Sequence, residues 1–207
     1  MDYEAMSTSE FCKVLASKAP TPGGGGASAL VGAVGVALGS MVCNLTYGKK
    51  KYAELEPALE RIMEKAENLR NKLTGLINRD AEAFEPLSKA YSIPKDDPNK
   101  APEMERCFKL ACSVPMEIAR AAAEAIDLHM ELAGYDTGFA VSDVGCGVVC
   151  CRAALEAAAL NVYINTKSMS DREYAETAES EMDALLKKYC PAADDAYNTV
   201  LSKIRRK

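Results

Sequence analysis

The sequence predicts an all-α protein, a bundle of long helices around one buried helix of small residues, and three observations carry that prediction. Apolar residues recur at helical spacing along most of the chain. No stretch between turn signals alternates with the period of a strand. From Ala19 to Gly48 there is no formally charged residue, in a protein that is 27% charged. With 207 residues, 48% of them hydrophobic, the chain predicts a single domain spanning 1–207 with ample material for a core.

The elements follow in order. Ser7 and Glu10 have the spacing of a capping box and open a short amphipathic helix on Phe11, Val14 and Leu15, ending near Lys18. Pro20, Pro22 and the run Gly23, Gly24, Gly25 and Gly26 predict an irregular loop, because proline fixes φ and glycine frees it. Ala27–Tyr47 is helix-compatible, and its Gly35 and Gly39 share a face, which predicts close approach by another backbone. A glycine loop opening onto a helix N-terminus offers free N–H groups to an anion or a polar ligand edge. A plain linker rarely needs Pro-x-Pro before its glycines, so a site-forming loop is the stronger reading. Gly48 ends the helix, and Lys49, Lys50 and Lys51 stand where the helix dipole favours cations. They read as a solvated helix end or as a clamp for a carboxylated ligand.

Leu59, Ile62, Leu69, Leu73, Leu76 and Phe84 mark the stripe of a long helix that begins near Leu55. Pro57 suits its first turn, while Pro86 is expected to kink or end it. After a polar loop, Glu103–Ser113 is expected as a short helix, with Pro115 opening another from Met116 to Ala133. Gly134–Phe139 reads as a turn and Val141–Tyr163 as a second small-residue helix, without an apparent second membrane-length span. Ser170 and Glu173 form a possible capping box for a helix to about Tyr189, and Pro191 is expected to start a last one. The two small-residue helices are expected to pack together and against a second copy, giving a homodimer.

Composition narrows the function. A net charge of −5 and a pI near 5.1 argue against nucleic acid as a partner. The N-terminus lacks the basic and apolar regions of a secretory signal, and the eight cysteines fall mostly within apolar helical pattern, so the cytoplasm is expected. Cys12, Cys43, Cys146, Cys150 and Cys151 read as small core residues. Ala27–Tyr47 approaches the length of a bilayer span, yet Ser28, Ser40, Asn44 and Thr46 favour a helix buried in a bundle, and no membrane is expected. No metal is expected either, since the cysteine spacings lack the zinc pattern and histidine partners.

Asp80 is the candidate for chemistry. It lies four after Leu76 and four before Phe84, on the apolar stripe of the long helix. A carboxyl buried there is driven toward a pKa useful for proton transfer; held by an arginine or a helix terminus, it would be structural instead. Asp143, after Ser142, suits a cap at the start of the second small-residue helix. Asn161 and Asn165, four apart, present their amides on one face, for a ligand edge or for neighbouring backbone. His129 reads as a half-buried packing residue.

These residues together resemble the cyclodeaminase/cyclohydrolase family of folate one-carbon enzymes. The matching stretches are ASKAPTPGGGGASAL, MVCNLTYGKKKY, RDAEAF, SDVGCG and AALNVYIN, in family order, and the resemblance extends over nearly the whole chain. Two departures stand out: Gly26 occupies a position where many members have Ser, and Gly134–Val141 lacks an Asn-rich turn before Ser142 and Asp143. The resemblance implies an all-helical homodimer binding a tetrahydrofolate derivative near the subunit interface. It implies Asp80 as general acid/base, with Pro22, the glycine run, Lys49, Lys50, Ser142, Asp143, Asn161 and Asn165 toward the substrate. Both family chemistries act on one carbon held between N5 and N10 of the folate and need no metal or redox cofactor. The chain shows no formiminotransferase portion, and fusion to that partner is what raises a cyclodeaminase's supply of formimino-folate. Methenyltetrahydrofolate cyclohydrolase is therefore expected, with formimidoyltetrahydrofolate cyclodeaminase as the alternative and a non-catalytic folate-binding dimer behind both.

Overall fold

A computed structural model describes residues 1–205 and contains, among them, helices and turns only. Six α-helices follow one another: α1 Thr8–Leu15, α2 Gly24–Thr46, α3 Glu56–Ala90, α4 Lys100–Gly134, α5 Val141–Thr166 and α6 Arg172–Ile204. Short 3₁₀ segments, Lys50–Leu55 and Gly138–Ala140, precede α3 and α5. α2 to α5 run alternately up and down as a four-helix core, and α6 packs beside α4 and α5. The neighbours of the α2 glycines fix these directions: Gly25 meets Asp80 and Gly32 meets Leu73 of α3, while Gly32 meets Ala154 and Gly35 meets Gly147 of α5. α2 is thus antiparallel to both. The predicted all-α bundle around a small-residue helix is what forms.

The α2–α5 crossing is as close as their composition predicts. A Cβ on Gly35 would lie 2.8 Å from the Gly147 carbonyl and 2.6 Å from Cys151 Sγ, so only glycine permits this separation. His129 of α4 fills the adjoining space and is fully buried, not half-buried, because Gly39 and Gly147 leave room for its ring. Its Nδ1–H donates to the Ala125 carbonyl at 2.8 Å, and burial pulls its pKa below the ordinary imidazole value.

Several boundaries differ from expectation, each for a physical reason. α2 starts at Gly24, so the last three glycines belong to its first turn; Gly23, at the N-cap, is where the loop ends. Pro86, Pro115 and Pro191 lie inside continuous helices and do not divide α3, α4 and α6. At Pro115 a replacement bond is visible: the ring removes the donor for the Ala111 carbonyl, and Asn165 Nδ2 points at that oxygen from 3.4 Å. α6 is capped by Asp171, not Ser170: the Asp171 carboxylate accepts the Tyr174 N–H at 3.1 Å, while the N–H groups of Ser170 and Asp171 both donate to Glu105. The Ser7–Glu10 capping box forms as predicted. Asp143 caps nothing; Ala140 holds the cap of α5, and Asp143 sits in the first turn, where the dipole favours its charge.

All eight cysteines are free; Cys43 and Cys151 are buried as expected, whereas Cys12 and Cys146 are exposed and Cys150 is half-buried. Contrary to expectation, a second stretch, Gly138–Thr166, joins Gly24–Thr46 in being long and apolar enough to cross a membrane by length and composition. Only about half of each is buried within the chain, 56% and 44% respectively. Each helix leaves large apolar side chains open. α2 exposes Val31, Val34, Met41 and Leu45, and α5 exposes Val149, Leu160 and Ile164, all at helical spacing.

Candidate active site

The N-terminal end of α2 meets the C-terminal halves of α3 and α5 around a cavity of about 340 Å³. Its floor is the glycine turn. Gly25 packs so closely on Asp80 that a Cβ there would lie 2.0 Å from Oδ1, and the Gly26 N–H donates to Asp80 Oδ2 at 2.8 Å. Pro22 follows a cis peptide bond and is buried beneath the same turn, beside Gly26. The run of glycines therefore lets backbone, not side chain, press against a carboxyl group.

Asp80 reaches this spot because the stripe of α3 carries it there, one turn beyond Leu76 and Ile77, which are 1% and 2% exposed. Burial pushes its carboxyl up to about 6, and the Gly26 N–H, which favours the ionised form, pulls the other way. No lysine, arginine, histidine or second carboxylate lines the cavity among the described residues, and Tyr91 is the other titratable group there. Asp80 is accordingly a lone carboxyl with its affinity for protons set near neutrality, as acid/base work requires.

Asn161 and Asn165 line the same cavity from α5. Asn161 Nδ2 donates to the Ala157 carbonyl at 2.8 Å, and its amide stands over Gly24. Asn165 Nδ2 is held by the Asn161 carbonyl at 2.7 Å and by Ala111. The backbone role is thus visible for both, and Asn165 is the more committed to it. Their face of α5 nonetheless borders the Asp80 carboxyl's cavity.

Lys49, Lys50, Ser142 and Asp143 are not brought to Asp80 within one chain. α2 has 23 residues, about 34 Å of helix, and its far end carries Lys49 and Lys50. The start of α5, with Ser142 and Asp143, lies at that same distant end because α2 and α5 are antiparallel. There Lys51 pairs with Asp136 at 3.0 Å. The sequence reading overlooked the apolar walls, Phe84, Tyr91, Phe108 and Ile164. Scarcity offered a signal: aromatic residues are only 6% of the chain, and three of them gather here.

Fold and site together are an all-helical protein with one raised carboxyl on a glycine-turn floor, in a cavity walled by Phe84, Tyr91 and Phe108. Comparison with known proteins supplies the family. The formiminotransferase-cyclodeaminase family model matches residues 7–184, and the chain belongs to that family. It is 44% identical over 198 residues to the methenyltetrahydrofolate cyclohydrolase of Methylorubrum extorquens, covering 94% of this chain and 95% of that one. It is 30% identical over 191 residues to the formimidoyltransferase-cyclodeaminase of Sus scrofa, where the match takes 85% of this chain but spans only 33% of the longer protein. The crystal structure of a formiminotetrahydrofolate cyclodeaminase from Thermotoga maritima superposes with a TM-score of 0.80 at 35% identity, over 96% of both chains.

Proposed function

We propose that this protein is an enzyme of folate one-carbon metabolism that hydrolyses 5,10-methenyltetrahydrofolate to 10-formyltetrahydrofolate, with Asp80 as general acid/base. The observation that carries the chemistry is the lone Asp80 carboxyl, raised to about 6 and held by the Gly26 N–H on the floor of the cavity. At pH 7 it is mostly ionised. It takes a proton from the water that attacks the methenyl carbon and returns that proton to N5 as the tetrahedral intermediate breaks its C–N5 bond, while the intermediate's hydroxyl proton leaves to solvent as the formyl C=O forms. No electrons are transferred, so the reaction itself calls for no redox carrier. The cavity volume lies at the small end for ligand sites and suits the ring system, leaving the p-aminobenzoyl-glutamate portion outside.

The choice of cyclohydrolase is supported by the 44% identical relative that carries that name over nearly the whole of both chains. Extent alone does not discriminate, because the cyclodeaminase from Thermotoga maritima matches over an equal share. That relative keeps cyclodeaminase activity as the second reading: attack of N10 on the 5-formimino carbon and loss of ammonia, with the same proton demand.

We further propose that the open α2–α5 face docks a second copy. Seven large apolar residues exposed along two neighbouring helices are more than an isolated soluble chain commonly leaves bare. A two-fold axis across the helices would carry the partner's basic end toward this chain's cavity mouth, where Ile164 is 62% exposed. Lys49 and Lys50 would then meet the folate glutamate, which reconciles their distance from Asp80 with a substrate-binding role. Sedimentation of the wild type as a monomer at micromolar concentration would overturn this arrangement. For the reaction, purified protein is expected to remove the absorbance of 5,10-methenyltetrahydrofolate. If it leaves that compound untouched but converts 5-formiminotetrahydrofolate with release of ammonia, the cyclodeaminase reading replaces ours.

A further inference from the structure

We infer that Tyr3 is a positioning residue for the Asp80 centre, clasping the Pro20–Gly26 segment to α3 so that the Gly26 N–H stays on the carboxyl. The inference deepens the proposed function and rests on Asp80 as its acid/base.

The clasp has two ends. At one, the Tyr3 N–H donates to Asn78 Oδ1 at 2.7 Å, and Asn78 Nδ2 donates to Asp2 Oδ1 at 2.8 Å. Asn78 stands two residues before Asp80 in α3. At the other, the Tyr3 hydroxyl donates to the Thr21 carbonyl at 3.1 Å and lies 2.9 Å from Thr21 Oγ1, where either oxygen is able to donate. The ring between them is only 7% exposed. First residues of a chain are poorly ordered unless something ties them down, and here both main chain and side chain are tied.

The segment being held has need of it. Gly23 has open space around its missing Cβ, and the glycines that follow resist disorder weakly. Among the described residues, the hydrogen bonds that join residues 19–22 to a distant part of the chain all come from Tyr3. Five residues beyond Thr21, Gly26 makes the bond to Asp80. Tyr3 thus connects the same two elements as Gly26 and Asp80 do, at a second point.

Tyr3→Phe removes the hydroxyl and keeps the ring, and amide exchange by NMR reads the consequence without needing a substrate. The Gly26 amide is expected to exchange about fivefold faster, the change that loss of one neutral hydrogen bond produces. The Val36 amide in the buried middle of α2 is expected to keep its rate. Asn78→Ala, which opens the other end, is expected to give the same local signature. Turnover of methenyl-folate by Tyr3→Phe is expected to show kcat reduced about fivefold with KM within twofold. The inference is overturned if Gly26 exchanges as in the wild type, if Gly26 and Val36 accelerate together, or if Gly26 accelerates while kcat is unchanged. A wild type that turns over no folate refutes the proposed function instead, and the Gly26 exchange rate still decides whether the clasp holds.

Discussion

Glycine admits a polar side chain to α2 at two places, and the surroundings open one onto a cavity and seal the other as a packing joint. At the N-terminal turn, Gly25 makes room for the Asp80 carboxyl, which opens on a cavity. Midway along, Gly39 and, from α5, Gly147 make room for the His129 imidazole, which is fully buried. Burial disfavours charge in both, so it raises the acid and lowers the base. The comparison teaches that close glycines signal proximity alone. Access to a ligand-sized space is what separates chemistry from packing.

The largest expected effect breaks the first region and spares the second. Asp80→Asn keeps shape and the Gly26 bond but cannot exchange a proton, so kcat should fall by about a hundredfold or more in the methenyl-folate assay. Gly147→Ala attacks the sealed region instead. Its Cβ would lie 2.1 Å from His129 Nε2, and overpacking of that kind costs roughly 2 kcal/mol. Calorimetry should show Tm lowered by about 4–8 °C for a chain of this length. Gly25→Ala is the matching intrusion at the open region, with its Cβ 2.0 Å from Asp80 Oδ1. There the carboxyl can move into the cavity, so stability should change less than in Gly147→Ala while kcat falls about tenfold, as misplacement of a catalytic group commonly causes.

The smallest effect is one of pH, and the two regions give it opposite signs. In the unfolded chain Asp80 loses its proton near pH 4, whereas in the folded protein it holds it to about pH 6. The native state therefore binds the extra proton in between, and stability falls as pH rises through that window. His129 behaves conversely: the unfolded imidazole protonates below 6.5 while the buried one resists, so stability falls as pH drops below that value. Asp80→Asn deletes only the first contribution. The variant should melt a few degrees above the wild type at pH 7, with the difference vanishing near pH 4. A constant difference across that range would mean that the carboxyl is not raised.

Much of this was legible in the sequence, and the limits have physical causes. Period alone located the long helices and placed Asp80 on the buried stripe, because a 3.6-residue repeat survives any detail of packing. Helix ends at proline were misjudged, since Pro115 is tolerated where Asn165 turns toward the freed Ala111 carbonyl, a partner fifty-four residues away. The glycine run suggested a loop, yet its three last members form the first turn of α2, where Asp80 occupies the space of the Cβ that Gly25 lacks. Asn161 and Asn165 were recognisable as a pair on one face, but the walls formed by Phe108 and Tyr91 depend on how α3 and α4 meet. Nothing local to Lys49 or Ser142 reveals that antiparallel packing sets them at the far end of the bundle from Asp80.

The dependence of kcat/KM on pH for hydrolysis of 5,10-methenyltetrahydrofolate, measured between about pH 5 and 8 and corrected for the uncatalysed rate, tests the central claim most directly. If Asp80 takes the proton from the attacking water, the profile should carry an acid limb with its midpoint at about pH 6, falling tenfold per unit below it. A rate that stays level from pH 5 to pH 8 in folded protein would show that no carboxyl raised to that value is the base, and would contradict the account.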